Sequence, residues 1–303
     1  FASKKRANSN AKIIAITGSA GKTSLKNLIN HLLQNFGKTF CSPKSYNNHY
    51  GVPLSLSHLS VEHKFGVFEV GMSRSGEINS LTKLIRPHIA IITNIGEAHI
   101  ENFKSLKDIA DAKGEIINNL KRGGGIILNR DDKFFKYLEK KAKLKKIKIV
   151  SFGISKKADV HPTDIHINNK KELTIKIYDE NFKINLSHSN IYNVLSSFAL
   201  LKVLKLNIKK IVKLFKNFKL TDGRGRIHKI KRYNKNFKLI DESYNANPLS
   251  VRTAIRNFKS IKKFNFKKYL LLGDMLELGK KSEKLHYNLS KVINNSDIDK
   301  VYI

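Results

Sequence analysis

The sequence predicts an α/β protein. A mostly parallel sheet domain with a small antiparallel appendage is expected over residues 1–222, and a second, partial α/β domain over 223–303. Three observations predict it. In the first half, short and nearly continuous apolar runs alternate with amphipathic segments, the pattern of parallel strands covered by helices on both faces. From about 160 to 187 apolar and polar residues alternate instead, with turn signals between runs. After about 220 the strand–helix alternation resumes and is short.

The strands of the first domain are "KIIAIT" (12–17), "FGVFEV" (65–70), "HIAIIT" (88–93), "GIIL" (125–128) and "IKIVSF" (147–152). Helices are predicted over 22–36, 77–85, 105–121 and 131–142. The first is well patterned: Leu25, Leu28, Ile29, Leu32, Leu33 and Phe36 share one face at three- and four-residue spacing. The appendage is "DIHINNKKELTIKIYDENFKINL", with turn signals at Asn168-Asn169 and Glu180-Asn181. Helices at about 190–205 and 208–217 follow. The second domain begins near "LTDGRGRI" (220–227), with strands 226–232 and 237–241. Asn247 then caps a helix with Pro248 at its first position and Val251, Ala254, Ile255 and Phe258 on its apolar face. Strand 268–273, helix 281–294 and strand 299–303 complete it.

A length of 303 residues suits about two domains. No apolar run approaches the ~20 residues of a membrane helix, and the basic "FASKKRANSN" start has no signal-peptide core. Cys41 is the only cysteine. That excludes a disulfide within the chain and a cysteine zinc cluster, and suits a reducing cytoplasm. The formal charge of +34 admits a polyanion partner or a lysine-rich solvated surface. The lysines spread along the whole chain, and no zinc finger, RNP-type aromatic strand or KH-type loop appears. The solvated surface is the favoured reading, with no specific nucleic acid. With no initiator Met and an apparent strand at its end, the chain is expected to be a fragment.

Chemistry is concentrated after the strands. "TGSAGKTS" (17–24) follows a strand and opens a helix. Backbone N–H groups of Gly18, Ser19, Ala20 and Gly21 can wrap phosphate, Lys22 can reach outer phosphates, and Thr23 and Ser24 stand at the helix entrance. Thr23 could ligate magnesium. The G-x-x-x-x-G-K-[ST] spacing fails, because residue 16 is Ile, so a plain strand–helix turn stays open on spacing alone. In "FEVGM" the carboxylate of Glu69 stands at the end of an apolar strand, where open parallel sheets bind ligands and where it could hold Mg²⁺. "TNIGEAHIENF" places Glu97 and His99 beyond another strand end, expected near Glu69. Lys113, in "DIADAKGEII", reads by itself as a solvated helical lysine.

Taken in order, "ITGSAGKTS", "SYNNHYGVPLSL", "FEVGMSRSGEI", "PHIAIITNIGEAHIENF", "IADAKGEI", "ILNRDD", "IDESYNANPLS" and "LLGDMLELGKKSEKLH" resemble the Mur ligases of peptidoglycan synthesis. "SYNANP" and "LGDMLELG" most resemble the branch that joins D-alanyl-D-alanine to UDP-N-acetylmuramoyl-tripeptide. The resemblance covers nearly the whole chain, and that family's phosphate loop has the shorter G-x-x-G-K-[ST] form.

The resemblance implies a P-loop-type ATP-binding central domain followed by a Rossmann-like C-terminal domain. It implies an ATP-dependent carboxylate–amine ligase: ATP phosphorylates the peptide carboxylate, an amine attacks the acyl phosphate, and phosphate leaves. Magnesium and lysine must neutralise charge on the transferring phosphoryl group. By resemblance Lys22 binds the β- and γ-phosphates; Thr23, Glu69, His99 and a carbamylated Lys113 hold Mg²⁺; and Tyr46, Asn47 and Asn48 touch the UDP-sugar peptide. Asn190 and Asn193 match the adenine-contacting helix, whose family His falls at Ser189 here, with His188 one place early. Arg224 matches a phosphate-reaching Arg, with Arg226 a competitor. Glu242, where the family usually has Asp, would face ribose, and Tyr244, Asn245 and Asn247 the adenine side. The resemblance further implies a cytoplasmic monomer. Parts that grip UDP and place the amine would lie outside the chain, so weak or no ligation is expected from it alone. Other Mur-type ligases, folylpolyglutamate synthetase-like enzymes and a basic P-loop ATPase acting on nucleic acid are the alternatives.

Overall fold

The structure, a computed structural model, describes residues 1–164, 172–177, 180–185, 190–259, 261 and 266–303. Its main sheet has six strands: β1 (Lys12–Thr17), β2 (Thr39–Cys41), β3 (Phe65–Glu69), β4 (Ile89–Ile92), β5 (Gly125–Asn129) and β6 (Lys148–Phe152). They run in the order β2-β3-β1-β4-β5-β6, every neighbouring pair parallel. The near-continuous apolar runs follow from this geometry. Ile13 through Thr17 of β1 and all of β3 and β4 are buried, so neither face tolerates a polar stripe. The strand order reverses at β1, which lies between β3 and β4. The carboxyl ends of these three strands therefore flank the crevice in which such sheets bind ligands.

Seven helices accompany this sheet among the described residues: α1 (Ala2–Ala7), α2 (Lys22–Leu33), α3 (Gly51–Ser57), α4 (Glu77–Ile85), α5 (Leu106–Gly114), α6 (Phe135–Leu144) and α7 (Ile191–Leu204). The expected face of α2 is in the core, with Leu25, Leu28, Ile29, Leu32 and Leu33 at most 1% exposed. Each such side chain contributes about 1.5–3 kcal/mol relative to exposure. The helix ends at Leu33, short of the expected 36, in a turn where Phe36 N donates to Leu33 O at 2.8 Å. The expected helix 105–121 is α5 plus a 3-10 turn over Glu115–Ile117. The expected start of α6 moves from 131 to 135, because Asp132 Oδ1 accepts from Phe134 N at 2.8 Å and holds the segment before it as a turn. The segment 208–217 is a 3-10 helix, Ile208–Asn217.

Helix α1 is an addition to the expected elements. Its Arg6, 1% exposed, donates from Nε to Ile85 O at 2.5 Å and from Nη2 to Arg86 O at 3.0 Å. A cation there satisfies carbonyls at the C-terminal end of α4. The appendage is a three-stranded antiparallel sheet of β7 (His161–Asp164), β8 (Glu172–Ile177) and β9 (Glu180–Asn185). The expected turn at Asn168-Asn169 lies outside the described residues.

The chain divides into two units, residues 1–95 with 107–219, and residues 96–106 with 220–303. In the second, β10 (Arg226–Arg232) and β11 (Lys235–Asp241) form a hairpin turned by Tyr233 and Asn234, at φ 51° and 56°. Two positive-φ central residues are the geometry that matches strand twist in a tight hairpin. Helix α8 (Pro248–Lys259) is capped as expected: Asn247 Oδ1 accepts from Ser250 N, and Ser250 Oγ accepts from Asn247 N, both at 3.0 Å. Helix α9 (Ser282–Asn294) and a parallel pair, β12 (Tyr269–Leu271) with β13 (Lys300–Tyr302), complete this unit.

Candidate active site

The turn after β1 is shaped as a cradle. Gly18 has φ 147°, and a Cβ there would lie 1.8 Å from Thr93 Oγ1, so only glycine fits. Gly21, at φ 81°, is the N-cap of α2. Segment 93–94, just past β4, ties the loop down and engages two of the N–H groups expected to wrap phosphate: Ser19 N donates to Asn94 O, Ala20 N to Asn94 Oδ1, and Thr93 Oγ1 to Ala20 O. Lys22 Nζ donates to Gly18 O at 2.8 Å across the turn. A glycine turn, a helix N-terminus and a lysine are the parts from which phosphate-binding turns are built.

Beside it stands an oxygen cluster. Thr23 Oγ1 donates to Glu69 Oε2 at 2.7 Å, and Asn47 Nδ2 donates to Glu69 Oε1 at the same distance. Glu69 is 1% exposed and Thr23 5%. Ser45 Oγ lies 3.3 Å from Thr23 Oγ1, and Glu69 N donates to Ser42 Oγ. Carboxylate and hydroxyl oxygens are the donor set a hard cation such as Mg²⁺ takes, so Thr23 and Glu69 fit that ion.

Lys113 is not the solvated lysine that its helix alone suggests. It is 1% exposed, and burial, with the neighbouring Lys22 ammonium, pushes its pKa well below the ordinary lysine value. On α7, Asn190 is the N-cap, its side chain accepting from Tyr192 N, and Asn193 lies against the phosphate loop. Its Oδ1 is 3.4 Å from where a Gly21 Cβ would stand. The neighbouring His188 and Ser189 lie outside the described residues.

The first unit thus brings together Gly18 to Thr23, Glu69, Asn47, Asn193 and Lys113. Ser24 follows in the first turn of α2, and Tyr46 is exposed on the loop before α3. Asn48 has a local role, its Oδ1 accepting from Tyr50 N and Gly51 N at the start of α3.

The remaining expected residues belong to the second unit. His99 has a left-handed backbone, φ 58°, and its Nδ1 lies 2.5 Å from Glu277 Oε2. Glu97, expected near Glu69, is engaged by Arg252, whose Nη2 donates to both carboxylate oxygens at 3.0 and 2.8 Å. The Arg224 guanidinium stacks 4.2 Å from the Tyr244 ring, whereas Arg226 pairs with Asp222 at 2.8 Å. Glu242 lies close to Gly225, and Asn245 is exposed. Among the described residues no group of three or more His, Cys, Asp and Glu could hold a metal; the expected set contains only Glu69 and His99 of these types.

Sequence reasoning missed Thr93 and Asn94 as supports of the loop, Asn47 as the partner of Glu69, and Lys26. Lys26, on the helix of the phosphate loop, is 1% exposed and donates to Ser42 O at 2.6 Å and to Lys44 O. Its signal was its place three residues beyond Thr23, on the same side of the helix.

Fold and site together define a P-loop-type nucleotide-binding protein with a carboxylate at the phosphate end. The family model of the Mur ligase middle domain matches residues 16–201, and that of the Mur ligase, glutamate ligase domain, residues 225–303. The chain belongs to the Mur ligase family. It is 36% identical to the UDP-N-acetylmuramoyl-tripeptide–D-alanyl-D-alanine ligase of Rickettsia prowazekii, over 99% of this chain and 66% of that protein. The Bacillus subtilis protein of the same name is 32% identical, over 96% of this chain and 62% of its own length. The chain therefore spans just under two thirds of these relatives. Among solved structures it resembles MurF from Acinetobacter baumannii, with TM-score 0.90, 30% identity and 99% and 65% of the two chains covered. It also resembles the Thermotoga maritima MurF ligase in complex with ADP, with TM-score 0.85, 27% identity and coverage of 99% and 68%.

Proposed function

We propose that the chain is the ATP-binding part of a cytoplasmic, monomeric ligase that adds D-alanyl-D-alanine to UDP-N-acetylmuramoyl-tripeptide. The observation that carries this reading is the Thr23–Glu69 contact beside the phosphate loop, in a chain whose relatives bear that ligase's name. The N–H groups at the start of α2 and Lys22 would hold the phosphates of ATP and orient the γ-phosphoryl group. Magnesium, bound through Thr23 and Glu69 with a carbamylated Lys113 as a further ligand, would neutralise phosphate charge. Lys22 stabilises charge as the phosphoryl group passes to the peptide carboxylate, giving acyl phosphate and ADP. The amine of D-alanyl-D-alanine then attacks the acyl carbon, loses a proton, and phosphate leaves. Within the first unit, Asn190 and Asn193 would serve the nucleoside, and Tyr46, Asn47 and Asn48 the UDP-sugar peptide.

The test is ATP consumption by a protein extended to the length of the relatives. Consumption that requires both UDP-N-acetylmuramoyl-tripeptide and D-alanyl-D-alanine is expected. Consumption that responds to nucleic acid and not to these substrates would overturn the reading.

A further inference from the structure

We propose that Lys26 is a positioning residue that fixes the 42–48 loop and, through it, the orientation of the two oxygen donors Thr23 and Glu69. The inference rests on the reading of that pair as a magnesium–nucleotide centre. An ammonium buried to 1% exposure is costly unless its donors are satisfied. Here Ser42 O and Lys44 O supply acceptors, the former at 2.6 Å. The loop bends to deliver them: Lys44 takes a left-handed backbone, φ 42°, and Tyr46 N turns back to Pro43 O at 3.0 Å.

From this backbone two side chains reach the site. Ser45 Oγ meets Thr23 Oγ1 at 3.3 Å, and Asn47 Nδ2 meets Glu69 Oε1 at 2.7 Å. Ser42, whose carbonyl Lys26 holds, also accepts from Glu69 N through its hydroxyl. Lys26 thus ties the helix that carries Lys22 and Thr23 to the loop that carries Tyr46, Asn47 and Asn48. It touches neither ligand itself.

The test uses Lys26→Met in the 303-residue chain, with hydrogen exchange of the 42–48 amides and titration with ADP, with and without Mg²⁺. Loss of the anchor should speed loop exchange about tenfold and reduce the Mg²⁺-dependent gain in ADP affinity by a similar factor. Metal-free ADP affinity should stay within about twofold, since the N–H groups at the start of α2 and Lys22 are untouched. Lys26→Gln, which keeps one neutral donor, should change the same quantities less, and serves if the methionine variant does not fold. Lys26→Arg, which keeps a charged donor, should recover part of the loss. Unchanged loop exchange, or equal loss of metal-free and metal-dependent affinity, would overturn the anchoring role. A wild-type chain that binds no ADP would instead overturn the nucleotide-site reading on which the inference rests.

Discussion

Thr23 and Glu69 are joined by a 2.7 Å hydrogen bond although 46 residues separate them in the chain. The sheet makes this possible. β1 and β3 are parallel neighbours with Ile16 opposite Glu69, so the helix that follows β1 begins where β3 ends. A hydroxyl and a carboxylate are thereby delivered to one side of an anion cradle, which is what a metal-bound triphosphate needs.

Two positive-φ glycines, Gly18 and Gly76, differ in what a methyl would meet. Gly18→Ala would place a methyl 1.8 Å from Thr93 Oγ1 and break the contact from Thr93 to Ala20 O. It should cost about 2–3 kcal/mol in urea unfolding and abolish nucleotide binding. Gly76→Ala, at φ 88° with nothing within 4 Å of the new methyl, should cost only the left-handed penalty of about 1 kcal/mol. Equal losses would contradict the steric account.

Stability should fall in mild acid through His88. Its Nδ1 accepts from Ile13 N at 2.9 Å, and burial, with the charges of Lys121, Lys12 and Arg6, pushes its pKa down to about 4. The unfolded imidazole titrates near 6.5, so its contribution is complete above about 6.5 and is lost as pH falls toward 4. With partial exposure, the change is about 1–2 kcal/mol. Urea midpoints at pH 7.5 and 4.5 should converge for His88→Gln relative to wild type. An undiminished pH dependence in the variant would assign it elsewhere.

Lys113→Met should have opposite effects on stability and catalysis. Removing a fully buried amine acted on by another ammonium should leave thermal stability unchanged or raise it, by up to about 2 kcal/mol. In the extended ligase the same change should abolish acyl-phosphate formation, with Lys113→Ala partly rescued by short carboxylic acids. A fully active variant would remove the carbamate role.

The sheet and phosphate loop were legible because burial on both faces forces apolar strands and because a glycine turn between strand and helix has a fixed local pattern. Glu69 was legible as a lone carboxylate ending an apolar strand. Asn47, Asn94 and Lys26 were not: each acts on a partner far along the chain, and such contacts leave no periodic trace. Helix α1 was missed because six residues with a buried arginine next to last carry no apolar stripe. The pairing of Glu97 with Arg252 joins segments 155 residues apart, beyond the reach of any local pattern.

The most direct test of the account is calorimetric titration of the chain with ATP, with and without Mg²⁺, in wild type and Glu69→Gln. The account predicts that Mg²⁺ tightens wild-type binding at least about tenfold, and that the variant keeps metal-free binding but loses the gain. Wild-type binding indifferent to Mg²⁺, or a variant with the full gain, would contradict it.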